Sequence, residues 1–130
     1  LLEKGVPVLM TNFSRILNTL TGMHFEDRNQ FIDSLNRYSL LIIDDLGIER
    51  NSEFALEQVF NVIDSRYRSK KPLIVTTNLT LTELNNAPDV AHRRIYDRIL
   101  ERCAPIRINN RNIRQDNASA NLQEAKRILL

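Results

Sequence analysis

The sequence predicts an α/β domain, a parallel sheet with helices packed on both faces. Two stretches carry most of that prediction. Residues 40–47 read Leu-Leu-Ile-Ile-Asp-Asp-Leu-Gly, and residues 73–77 read Leu-Ile-Val-Thr-Thr. Such aliphatic runs are too short for a membrane span and too continuous for a strand with one wet face. They fit strands buried on both faces, the habit of parallel sheets. The third observation lies between them: over residues 53–68, Leu56, Val59, Phe60, Ile63 and Tyr67 recur at helical spacing. Strand, helix and strand in alternation is the pattern of parallel crossover units.

Each element can be justified in turn. Residues 1–5 read as the last turn of a helix closed by Gly5. Residues 6–11 read as a strand, with Pro7 near its start, where a missing N–H is tolerated. Ser14 is placed to cap a helix that turns Ile16, Leu17 and Leu20 inward and stops near Gly22. A short helix over 27–35 then buries Phe31, Ile32 and Leu35, and the strand 40–44 follows. Ser52 caps the 53–68 helix, with Glu53 at the positive end of its dipole. Pro72 ends that segment, and the strand 73–77 runs into Asn78. Thr80-Leu81-Thr82-Glu83 forms a capping box for a short helix. Pro88 and Asp89 suit the first turn of the next, which runs to about Cys103 and buries Ile95, Ile99 and Leu100. Residues 105–108 read as a short last strand and 109–117 as loop.

The 130 residues, of ordinary composition, are expected to make one domain, no signal peptide is expected, and no apolar run comes near the ~18 residues of a membrane helix. A cytoplasmic location is expected. Cys103 stands alone, which excludes an internal disulfide and fits a reducing compartment. His24 and His92 lie far apart with no cysteine near, so a zinc site is not expected. The net charge of +2 is unevenly spread: seven of the fourteen arginines fall in residues 93–114, offset only by Asp97 and Glu101. Such a concentration favours phosphates, of a nucleotide or of nucleic acid. The basic run 66–71 reads at least as readily as a solvated helix face.

Three polar features fall at strand ends or on the helix beside them. Asp44 and Asp45 follow one aliphatic run, and Asn78 follows the next. In open α/β sheets the carboxyl ends of the strands are where ligands bind. Neighbouring side chains in a strand point to opposite faces, so the two aspartates can converge only where the strand ends. Arg94 and Arg98, four apart, share a helix face. Carboxylates for a hard divalent cation, an amide to orient water and arginines to neutralise developing charge are the parts of phosphoryl transfer.

With those residues in place, the chain resembles the ATPase domain of the AAA+ helicase loaders of bacteria and phages, the DnaC/DnaI type. The related IstB-type transposition helpers are close behind. LLIIDDLG is similar to the family's Walker B motif and LIVTTNLT to its sensor 1 strand. RRIYDRILERC is similar to its arginine-bearing helix and IRINNRNIR to the segment carrying sensor 2. The motifs occur in the family's order, and the resemblance implies a partial P-loop NTPase (AAA+) domain over residues 1–115. A tail, residues 116–130, is expected to be helical.

Carried over by position, the resemblance implies that Asp44 holds Mg²⁺ through its water shell. Asp45 would border the metal in the place of the water-activating acid, which is Glu in most AAA+ proteins. Asn78 would position the attacking water and sense the γ-phosphate. Arg98, with Arg94 second, would be the finger that reaches a neighbouring subunit's ATP. Arg114, with Arg111 as the alternative, would be the sensor 2 contact to the nucleotide. ATP and Mg²⁺ are the implied cofactors, and the replicative helicase and single-stranded DNA the implied partners. Self-association would run through the arginine-bearing helix, and no membrane is involved.

One departure is plain. A phosphate loop of the form GxxxxGK[ST] cradles phosphates with backbone N–H groups and a lysine, and none of Gly5, Gly22 or Gly47 stands in that pattern. In the family the first strand, the loop and the first helix would lie ahead of residue 1, and that strand would sit between the 73–77 and 105–108 strands. The chain therefore reads as a truncated domain that does not bind ATP tightly by itself. The competing readings are a transposition-helper ATPase and a non-catalytic assembly module without ATP binding.

Overall fold

A computed structural model describes residues 5–47 and 52–108. The elements run β1 (Val8–Asn12), α1 (Phe13–Leu20), α2 (Phe25–Ser34), a 3₁₀ turn (Leu35–Arg37), β2 (Leu40–Leu46), α3 (Glu53–Ser69), β3 (Leu73–Thr77), α4 (Leu81–Asn85) and α5 (Val90–Arg102). The strands form one parallel sheet in the order β1-β2-β3. The predicted architecture, a parallel α/β sheet flanked by helices, is what the chain builds.

Both crossovers progress in the same direction, so with the usual right-handed connection α1, α2 and α3 gather on one face. Leu41 and Ile43 of β2 point into that layer with no exposed surface and meet Phe13, Leu17, Val59 and Ile63 in a single core. Truncating either to alanine is expected to cost about 2–5 kcal/mol. The opposite face is less covered. Met10 and Ile74, which align with Ile42 across the sheet, are 61% and 48% exposed, so no described helix shields the sheet at those two positions.

The helix ends show how local chemistry sets the boundaries. Ser52 accepts from the Ala55 N–H at 3.1 Å, and Thr80 with Glu83 forms the complete capping box, both as expected. Elsewhere the cap moves. Asn12, not Ser14, caps α1, accepting from the Arg15 N–H at 2.9 Å, because β1 passes straight into the helix at Phe13. Asp89 lies just outside α5 as its cap rather than within its first turn, accepting from the His92 N–H at 3.1 Å. Residues 105–108 are not a strand: a strand needs a ladder partner, none of the described strands lies alongside, and Ile106 and Ile108 are 78% and 60% exposed. The helix end expected before Gly5 and the helical tail lie outside the described residues.

The inner face of α3 is rotated relative to the predicted stripe. Val59, Val62 and Ile63 are buried against the sheet, whereas Leu56, Phe60 and Tyr67 are half-buried. Beside Val62 lies Arg66, only 1% exposed. Its guanidinium donates to the Pro72 carbonyl at 2.6 and 3.2 Å, to Tyr38 at 3.0 Å and to Leu35 at 3.4 Å. Burial lowers its pKa, with Arg102 a lesser cause, yet a guanidinium stays charged in proteins. Nearby, Lys71 donates to the Asn36 carbonyl and the Asn36 amide donates to Ser65 at 2.9 Å. Part of the basic run is therefore a buried tie across the amino-terminal ends of β2 and β3, not a solvated face.

Candidate functional site

The carboxyl ends of β2 and β3 are built around a register shift. Ile43 pairs with Val75 and Leu46 with Thr77, so Asp44 and Asp45 together stand opposite Thr76. Two residues against one is a β-bulge. The expectation that the aspartates could converge only past the strand end is thus corrected: β2 continues to Leu46, and the bulge re-aims them within the strand. The same shift explains why Ile43 and Leu46, three apart, are both buried. Asp45 takes the left-handed conformation with φ 58°, which Asp tolerates better than most residues.

Thr76 is the hub. Its hydroxyl donates to Asp44 Oδ1 and accepts from the Asp45 N–H at 2.9 Å, using donor and acceptor at once. The neighbouring Thr77 hydroxyl donates to the Leu46 carbonyl at 2.7 Å and accepts from the Leu79 N–H at 3.1 Å. Gly47 closes the end at φ +109°, where a Cβ would stand 3.2 Å from Leu79 Cδ1. Glycine alone meets both conditions there. Asp44 is left half-buried, and Asp45 and Asn78 are exposed. Asp44, Asp45 and Asn78 are therefore brought to one end of the sheet, and Thr76 is the member that sequence reasoning missed. Its signal was partial: Thr76 and Thr77 are the two polar residues before Asn78, and the bulge in β2 decides that Thr76 meets the aspartates.

The arginines are elsewhere. Arg94 lies 4.1 Å from the centre of the Phe60 ring, and Arg98 lies 4.6 Å from that of Tyr67. Arg98 also reaches Asp64 at 3.5 Å and Glu101 at 3.9 Å, while the Tyr67 hydroxyl donates to Glu101 at 2.8 Å. That hydrogen bond raises the Tyr67 pKa, with the Glu101 charge adding to it. The face shared by the two arginines is turned toward α3, and their described contacts do not include Asp44 or Asp45. Arg94 is exposed and Arg98 half-buried. Arg111 and Arg114 lie outside the described residues.

Two carboxylates and a hydroxyl are hard oxygen donors. Among the described residues no group of three or more His, Cys, Asp and Glu forms a closed metal cage. That donor set fits Mg²⁺, which keeps much of its water and takes one or two carboxylates together with substrate phosphates. Asp44 and Asp45 would face such an ion, which would supply charge neutralisation at the phosphates. Cys103 is no alternative centre: burial raises its pKa, and its thiol donates to the Leu73 carbonyl at 3.5 Å. No helix among the described residues is long and apolar enough to cross a membrane.

Comparison with known proteins bears on this arrangement. Residues 2–121 match the family model described as IstB-like ATP binding protein. The replicative helicase loader DnaC of Escherichia coli K12 is 24% identical over 102 residues, covering 76% of this chain and 40% of that protein. The phage-like element PBSX protein XkdC of Bacillus subtilis is 30% identical over 71 residues, covering 51% of this chain and 27% of that protein. An uncharacterized B. subtilis protein, YqaM, is 28% identical over 78 residues, 56% of this chain and 25% of its own length. The chain thus spans between a quarter and two fifths of the length of these relatives.

Proposed function

The chain belongs to the IstB-like ATP-binding protein family, and from that premise we propose that it supplies the metal-binding and water-positioning half of an AAA+ ATPase site. The intact protein would use that site to deliver a replicative helicase to single-stranded DNA. The observation that carries the site is the bulge, which sets Asp44 and Asp45 opposite Thr76 one strand away from Asn78. In this reading Asp44 faces the hydrated Mg²⁺, Asp45 takes the proton of the attacking water, and Asn78 orients that water against the γ-phosphate. Arg98 or Arg94 serves a neighbouring subunit's nucleotide, and Arg114 or Arg111 closes on the chain's own.

For Arg98 this role requires leaving Asp64, whereas Arg94 needs only to swing from Phe60. Helicase loading is favoured over transposition help by likeness to the loader DnaC across three quarters of this chain.

The deciding measurement is calorimetry of ATP–Mg²⁺ with this chain and with a longer chain that carries a glycine-rich phosphate loop ahead of Leu1. Binding by the longer chain, lost in Asp44→Ala, is the expected result. Binding by neither would leave a non-catalytic assembly module. If the longer chain binds ATP but places no helicase on single-stranded DNA, the loader role fails while the ATPase site stands.

A further inference from the structure

β1 is the outer strand of the sheet and pairs only with β2 among the described residues. The Ser39 N–H donates to the Pro7 carbonyl at 2.9 Å. By strand alternation the polar groups of Leu9 and Thr11 also turn toward β2, and those of Val8 and Met10 turn outward. Proteins usually blunt such an edge with a charge, a bulge or a proline inside the strand, and Val8–Asn12 contains none of these. Beside the edge, on the helix side, lies a cavity of about 320 Å³ lined by Leu9, Ile16 and Leu35, with Arg15, Arg37 and Tyr38 also on its wall. Both arginines are exposed, and neither has a carboxylate within ion-pair distance among the described residues.

We propose that this edge and cavity take an extended acidic peptide segment of a partner protein, added to the sheet as a fourth strand beside β1. Main-chain bonds to Val8 and Met10 hold the guest. Its alternate side chains face the helices, where an aliphatic residue fills the cavity and acidic neighbours on the same face meet Arg15 and Arg37. Charge disfavours a second copy of this chain, since β1 paired with β1 would bring two sets of these arginines together. A single-stranded nucleic acid would meet the arginines but has no use for the outward groups of β1.

The test is to pan a phage-displayed random decapeptide library on this chain and measure resynthesised hits by fluorescence anisotropy. Wild type is compared with Met10→Pro and with the pair Arg15→Glu and Arg37→Glu. Proline at an outward-facing N–H removes the guest's partner and leaves the β1–β2 ladder intact, which circular dichroism verifies. The expected hits carry an aliphatic residue with acidic residues two positions to either side, all on one face of the strand, and lose at least tenfold in affinity in both variants. Failure to enrich any peptide, or hits bound equally by Met10→Pro, would overturn the proposal. A thymidine oligonucleotide that binds wild type and Met10→Pro alike but not the charge-reversed pair would also overturn it, assigning the groove to nucleic acid. Should Met10→Pro unfold, hits unaffected by the charge reversal would overturn it.

Discussion

At the amino-terminal ends of β2 and β3 an arginine is buried; at their carboxyl ends stand two aspartates, one half-buried and one exposed. Arg66 donates four hydrogen bonds to three carbonyls, of Leu35 and Tyr38 in one turn and of Pro72 before β3, and touches almost no solvent. Asp44 and Asp45 hang on one threonine hydroxyl at a break in the ladder, with Asp45 itself left-handed just ahead of the turn. The same parallel sheet carries a closed polar network at one end and an open one at the other. On the proposed function, a carboxylate that exchanges water and phosphates is not fully satisfied by protein, and the closed network around Arg66 supplies rigidity at the opposite end of the sheet.

That contrast can be broken from either side. The largest effect is expected beside the sheet: on the proposed function, Arg98→Ala lowers stimulated ATP turnover of the intact protein by about 10³–10⁵. Its partly exposed ion pairs are worth at most about 1 kcal/mol of stability. Unchanged turnover with lowered stability would return Arg98 to holding α5 on α3. Next comes Arg66→Ala, expected to cost about 3 kcal/mol in urea unfolding by stranding buried carbonyls. Arg66→Lys should not rescue it, because an ammonium cannot fork to Pro72, Tyr38 and Leu35 together. A midpoint shift equal to that of an exposed substitution would refute the tie.

Thr76→Val keeps the strand's shape and removes the hub. Metal–nucleotide affinity of the intact protein should fall about 10–100-fold, with a stability loss near 1 kcal/mol; equal affinities would mean that the aspartates orient themselves. The smallest effect concerns the cap of α5. Hydrogen bonds from the His92 ring and backbone hold the Asp89 pKa below the usual carboxylate value. A depressed folded pKa stabilises at all pH above the unfolded value and is lost as pH falls through the folded one. Acid should therefore loosen α5 in wild type, and Asp89→Asn should flatten that dependence, read from amide exchange along Val90–Arg102.

The elements were legible where one force dominated. Continuous aliphatics gave β2 and β3, and side-chain oxygens three residues ahead of their targets gave the caps at Ser52 and Thr80. Illegible parts were those where two forces competed. Ser14 and Asn12 are both good caps, and only the abrupt passage of β1 into α1 decides between them. Arg66 sat in a run of charges of which Arg68 and Lys70 are exposed, and no local pattern reveals that three carbonyls converge on it. At the site the residue types were readable, but the bulge was not, because an inserted residue is defined by the partner strand. The arginines were correctly placed on one face; which surface that face meets depended on the rotation of α3.

The sheet's order has a consequence for how the chain folds. Val8 pairs with Leu40 and Leu41 with Leu73, a separation of 32 residues in both ladders. Each ladder closes a loop of equal length around its own helices, and among the described strands no pairing waits on a more distant one. Loop closure costs little more for the second than for the first, so either unit can nucleate and the other condense upon it. A bulge that forms only after Ile43 has met Val75 would make substitutions at Asp44 or Asp45 alter the unfolding rate more than the folding rate, which folding and unfolding rates of the variants check.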